Sequence, residues 1–198
     1  MRGPISAALV FALLSPVPAL AQTADPALAV VQSLEDGLIG IMKAKGTAKS
    51  RAATIAPAID RAFDLPLMTR LTVGTSWTGI APADQTALVA ALRRMTIARY
   101  ASNFDSWSGE SFTIDPNVQT RADDKLVRTS LNQQGKSPVP ISYRLRQSGG
   151  SWKIIDVFYR NSISQIATRR SDFSAVLAKG GAKALVAHLD AIAAKGGG

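Results

Sequence analysis

The sequence contains no cysteine and a single histidine, His188. Without thiols there are no disulfides, no thiolate metal sites, no cysteine nucleophile and no acylated cysteine to tether a lipoprotein. His188 has no metal partner or nucleophile near it in sequence, so it reads as a surface or cap residue rather than a catalytic one. The HExxH, GxSxG, P-loop and dinucleotide-binding fingerprints are all missing, which removes the common hydrolase and cofactor motifs. No metal, cofactor or catalytic residue is expected from motifs. Beyond the N-terminus no stretch approaches 18 uninterrupted apolar residues, and no membrane span is expected.

The N-terminus has the three regions of a secretory signal peptide. Arg2 supplies positive charge, Ile5 to Leu14 an apolar run, and Ser15-Pro16-Val17-Pro18 a helix break before the small-x-small site Ala19-Leu20-Ala21. As a helix the apolar run would span about 15 Å, half of a hydrocarbon core of about 30 Å, so a cleaved leader is favoured over an anchor. Residues 1–21 are therefore expected to be a signal peptide. Residues 22–198 are expected to form one diffusible domain outside the cytoplasm, long enough to bury a substantial core.

Lysine and arginine outnumber acidic residues 23 to 14, giving a formal net charge of +9. Such an excess favours acidic partners, which outside the cytoplasm means anionic lipid headgroups or acidic protein surfaces; no nucleic acid is expected. The same charge would equally serve solubility alone.

Along the chain, Asp25-Pro26 is an N-cap followed by proline, and Leu28, Val31, Leu34, Leu38 and Ile41 recur at helical spacing up to Gly46. Further helices are predicted from about Lys49 to Ala62, from Leu65 to Val73 before Gly74, and from Asp84 and Gln85 to about Phe104. After Ser106 to Gly109 the period changes to two. Phe112 to Ile114, Leu126 to Leu131, Val139 to Leu145 and Trp152 to Tyr159 read as strands, the last apolar on both faces and hence central. Helix returns from Ser164 to Leu177 and, past Gly180-Gly181, from Lys183 to Ala194. The prediction is an α+β fold, helices packed on a twisted antiparallel sheet of about four strands.

Asp156 is the strongest catalytic candidate by position, a carboxyl inside the apolar strand Trp152 to Val157. Facing an apolar pocket beside a tyrosine, it could abstract protons as in ketosteroid isomerase. Pairing with an arginine on the next strand, or capping a helix, is the more ordinary use of such a group. Glu35-Asp36 and Asp123-Asp124 are sequence neighbours and are expected to be solvated; Arg93-Arg94 and Arg169-Arg170 are expected to be mostly exposed. The apolar set Phe63, Leu67, Leu71, Trp77, Tyr100, Phe104, Ile141, Tyr143, Trp152 and Phe158 could close a solid core or line a cavity between helices and sheet. Periodicity does not distinguish the two.

Several segments resemble one family in order and spacing. Arg61 to Met68 followed by Gly74, Trp77 and Tyr100 is similar to the helical half of the MlaC, or toluene-tolerance, proteins. Val139 to Leu145, Gly150 to Val157 and Asn161 to Ser164 are similar to that family's paired strands and the segment after them. The resemblance spans about Asp25 to Leu189, with departures at Asn161, where glycine is usual, and at Thr168-Arg169-Arg170, where a Tyr-Arg pair is common. Phe104 to Phe112 looks closer to the hopanoid-associated subgroup, HpnM. The resemblance implies a periplasmic carrier, working as a monomer and without enzymatic activity. It would take a phospholipid or hopanoid-type lipid into an apolar cavity lined by the ten residues above. Its partners would be inner- and outer-membrane transport complexes of an ABC-transporter-linked system. Release would require the helices to move relative to the sheet, with Gly74 and Gly109 as candidate hinges.

Overall fold

The computed structural model describes residues 25–196; the expected signal peptide lies outside them. Helices α1 (Pro26–Lys43), α2 (Ala48–Ala62), α3 (Leu65–Val73) and α4 (Pro82–Asn103) come first, with a 3-10 turn at Gly74–Gly79 between the last two. Six strands follow: β1 (Ser111–Ile114), β2 (Gln119–Arg121), β3 (Asp124–Asn132), β4 (Val139–Ser148), β5 (Ser151–Tyr159) and β6 (Ile163–Ser164). Helix α5 (Gln165–Gly196) completes the chain.

Local chemistry sets the helix starts. The side chains of Asp25, Thr47 and Asp64 accept backbone N–H groups from Ala27 (2.9 Å), Ser50 (3.2 Å) and Leu67 (2.9 Å), donors that a helix leaves unpaired. Pro82 opens α4 two positions before the expected Asp84, because proline has helical φ already and lacks the N–H that would go unsatisfied. Gly74 ends α3 at φ 71° and Gly109 sits at φ 99°, backbone regions costly for residues with a Cβ. Helix α1 buries Ala27, Val31, Leu34, Leu38 and Ile41; Leu28, predicted on this stripe, is only half-buried because Ala27 takes the inward position.

The sheet runs β1-β3-β4-β5-β6, with β2 also paired to β3, and every pairing is antiparallel. Strands β2 and β6 are three and two residues long, too short to carry an alternation, so the sequence shows about four strands where six exist. Strand β5 lies between β4 and β6, as its two-sided apolar sequence requires. Arg144 pairs with Asp156 and the next residue, Leu145, with Ile154, leaving Ile155 as the extra residue of a β-bulge. Side-chain parity on β5 therefore changes at Ile155. Near this irregularity the Asp64 N–H donates to the Ile154 carbonyl at 2.9 Å, fastening the corner between α2 and α3 to the sheet.

Asp156 fastens the other end. Its carboxylate accepts from the Ser164 hydroxyl (2.5 Å) and from the backbone N–H groups of Val157 (2.8 Å) and Ile166 (3.1 Å), so it holds the first turn of α5 against β5. Farther on, Gly181 leaves helical geometry at φ 65°, ψ −160°. The rings of Phe173 and His188 lie 5.8 Å apart, whereas a straight helix would separate them by about 22 Å. Helix α5 thus doubles back on itself, matching the two helices predicted on either side of Gly180-Gly181, and it packs chiefly against α4.

Replacing Asp156 by alanine removes these acceptors and should lower the free energy of unfolding by about 1–3 kcal/mol, measured by urea denaturation. Unchanged stability would contradict this anchoring role.

Candidate functional site

A cavity of about 810 Å³ lies between α4, α5 and the face of β4 and β5 that carries Ile141, Tyr143 and Val157, within the range of about 300–1,000 Å³ common for ligand sites. Phe63 enters from the α2–α3 corner, Tyr100 and Phe104 from α4, Ile141 and Tyr143 from β4, Val157 from β5 and Phe173 from α5. Phe63, Tyr100 and Phe104 form an aromatic ladder with centroid separations of 5.8 and 5.9 Å, and Phe112 of β1 continues it at 6.4 Å from Phe104. The exposed members of the lining, Arg99, Asn103, Tyr159, Thr168, Asp172 and His188, mark its mouth. The interior is open at this point rather than filled.

Five of the ten residues singled out from sequence meet here: Phe63, Tyr100, Phe104, Ile141 and Tyr143. The other five lie elsewhere. The Trp152 ring lies under the Lys125 ammonium, 4.5 Å from its centroid, and that lysine pairs with Asp25 at 2.6 Å. Phe158 pairs with Ser142 and Ser164 on the opposite face of the sheet, where the bulge has sent it. Leu71 borders a smaller groove of about 200 Å³ beside Arg170. Trp77 lies half-buried in the 3-10 turn, its carbonyl bonded to Gln85, and Leu67 is half-buried on α3.

Asp156 does not face the cavity. Alternation along β5 places Val157 and Tyr159 inside and Asp156 outside, with all its bonds directed to the α5 terminus. The helix-capping use is the one observed, and the proposed proton-abstracting pocket lacks its base. His188 is exposed at the mouth, edge-on to Phe173. Among the described residues there is no cluster of three or more His, Cys, Asp or Glu side chains suited to a metal, and no helix long and apolar enough to cross a membrane.

Three charges expected in water are not there. Asp124 is buried between Arg144 and Arg146, with Nε contacts of 2.6 Å from each; burial alone would raise its pKa, but these arginines hold the carboxyl below its usual range. Asp36 is exposed and accepts from Gln32, whereas its neighbour Glu35 is only 1% exposed. Burial pushes the Glu35 carboxyl from 4.5 up to about 7; the nearby Thr129 and Tyr143 hydroxyls pull the other way, but neither oxygen of Glu35 has a hydrogen-bond partner. Burial likewise raises the phenol of Tyr143 well above its ordinary range, reinforced by the Glu35 charge behind it. Burial pushes the Tyr100 phenol up to about 12, against the pull of Arg169.

Arg169 is the third. Arg170 is exposed and donates to the Leu71 carbonyl at 2.9 Å, and Arg93 and Arg94 pair at the surface with Asp60 and Asp190. Arg169 instead turns into the cavity lining, its Nη1 fully enclosed and without a hydrogen bond. Burial pulls this guanidinium below its ordinary pKa, as does the neighbouring Arg99, while Tyr100 and Asp156 oppose the shift. Both missed charges stand on apolar stripes: Glu35 is four residues after Val31 and three before Leu38, and Arg169 is three after Ile166 and four before Phe173. That spacing is the signal by which they could have been found.

The family model described as "MlaC protein" matches residues 32–191. The chain belongs to the MlaC family. A solved phospholipid-binding protein from Ralstonia solanacearum, in complex with a phospholipid, is similar at 24% identity with a TM-score of 0.75. The likeness covers 87% of this chain and 99% of the other, and it shows that the two share a fold. No curated protein matches. In this MlaC-family chain the α+β architecture predicted from sequence is the one observed.

Because the folded state keeps the Glu35 proton more tightly than an unfolded chain would, stability should fall as pH rises from about 4.5 to about 7 and level off above. The contribution is on the order of 3 kcal/mol across that window. Glu35→Gln should flatten the dependence and stabilise the protein at pH 8 more than at pH 4.5, measured by urea unfolding at both pH values. An equal effect at the two would refute the assignment.

Proposed function

We propose that this protein is a periplasmic lipid carrier, the diffusible component of an ABC-transporter-linked system that moves a phospholipid or hopanoid-type lipid between inner and outer membranes. The observation that carries the reading is the aromatic-lined cavity of about 810 Å³ between α4, α5 and the sheet. Each methylene taken from water into such a space gains about 0.8 kcal/mol, so a lipid chain could cross an aqueous gap inside it. Membership of the MlaC family and the phospholipid bound to the Ralstonia relative support the same cargo class. The basic surface suits approach to anionic headgroups, and the leader at residues 1–21 would deliver the protein to the periplasm. The carrier works as a monomer and binds and releases its cargo without changing it, as the position of Asp156 outside the cavity agrees.

Organic-solvent extraction of the purified mature protein followed by mass spectrometry should yield a co-purifying lipid. Delipidated protein should take up fluorescently labelled phospholipid or hopanoid. Val157→Trp, which adds bulk to the cavity wall, should reduce uptake at least tenfold while thermal unfolding stays cooperative. A protein that yields no lipid and takes up neither probe would overturn the reading.

A further inference from the structure

The carrier reading leaves one lining residue unexplained. Arg169 projects from the second turn of α5 into the cavity, on the stripe that also buries Ile166 and Phe173. Its Nη1 is enclosed and bonded to nothing, and among the described residues Arg169 makes no ion pair. Asp172 is the single carboxylate of the lining, and it is exposed at the mouth rather than bound to the guanidinium. Asp156, the nearby acid on the other side, has its carboxylate taken by Ser164, Val157 and Ile166. Arg99 adds a second positive charge to the same lining. Arg169 as a whole is half-buried, but the enclosed Nη1 end of its guanidinium faces the cavity without a counter-charge, which is unfavourable. An arginine in a lining with Phe63, Tyr100, Tyr143 and Phe173 adds nothing to the holding of a hydrocarbon chain. It does offer a planar fork of donors matched to a carboxylate or phosphate.

We propose that Arg169 is an anion-recognising residue inside the cavity: the cargo carries a carboxylate or phosphate that enters with its apolar part and pairs with this guanidinium. The site therefore selects acidic amphiphiles and discriminates against neutral ones of the same shape. This inference rests on the carrier reading and adds to it the chemistry of the polar end. Two sources supply such a group, a free fatty acid and a phosphate-bearing diacyl lipid, and they are separated by the probes.

Delipidated mature protein is titrated with two matched pairs, oleate against oleyl alcohol and phosphatidic acid against diacylglycerol, by displacement of a bound fluorescent probe. The expected result is that the anionic member of at least one pair binds roughly ten- to a hundredfold tighter, the value of a charge-assisted hydrogen bond to a buried partner. The pair that shows the preference identifies the source. In Arg169→Met the preference should collapse to within about threefold while binding of the neutral member is kept, and Arg169→Lys should retain part of it. Equal binding of both members by the wild-type protein, a comparison that needs no variant to fold, overturns the anion site and leaves the carrier reading intact. So does a preference that survives in Arg169→Met. Failure of all four amphiphiles to bind overturns this inference, and the carrier reading falls with it only where no lipid co-purifies and labelled phospholipid and hopanoid are not taken up either.

Discussion

A cavity survives in a folded protein only if its walls are held apart by something other than their own attraction, since apolar surfaces left free close to crystal-like density. Here the restraint is the seating of helices on strand β5. The Asp64 N–H bonded to the Ile154 carbonyl fixes the α2–α3 corner, and the Asp156 carboxylate fixes the first turn of α5. Both attachments use β5 on either side of the bulge at Ile155. Phe63 and Phe173, which both line the cavity, stand on the elements that these two polar joints seat. The hydrophobic cluster to which all five helices and strands β3 to β5 contribute then supplies stability without having to fill the space under α4 and α5.

The bulge also explains where sequence reasoning stopped. On an unbroken strand Trp152 and Phe158 share one face, and both would look toward the helices. The extra residue at Ile155 moves Val157 and Tyr159 to the cavity and turns Phe158 away, a displacement that no alternation pattern contains. Strand β4 has no such interruption beneath the cavity, and there Ile141 and Tyr143 were legible as an inward pair. The helices were legible because their caps and glycine stops are local chemistry. Strands β2 and β6 were not, because pairing with β3 and β5 defines them and their own few residues do not.

Charge was the least legible property, for a related reason. Sequence adjacency made Glu35-Asp36 and Arg169-Arg170 look like solvated pairs, yet successive residues on a helix point about 100° apart, so one of each pair can be buried while the other is wet. Glu35 and Arg169 take positions that apolar residues would fill by periodicity, and neither finds a hydrogen-bond partner for the atoms it buries. They answer the problem differently. A carboxyl can accept a proton and become neutral, as burial drives Glu35 to do near pH 7. A guanidinium keeps its charge and needs a partner.

The reversal of α5 at Gly181 makes the wall of the container depend on a segment that must fold back along its own helix. The segment after Gly181 contributes His188 and Ile192 to the cavity lining, and Gly196 lies so close to Ala98 of α4 that an added Cβ would stand 3.3 Å from its backbone oxygen. These are the last of the described residues to leave the ribosome. Until this segment folds back, the face of α4 that it covers is bare and the cavity lacks the part of its wall that His188 and Ile192 supply. The apolar surface of α4 therefore stays open to water and to proteases for as long as the second arm of α5 is unformed, however early the rest of the helix is seated.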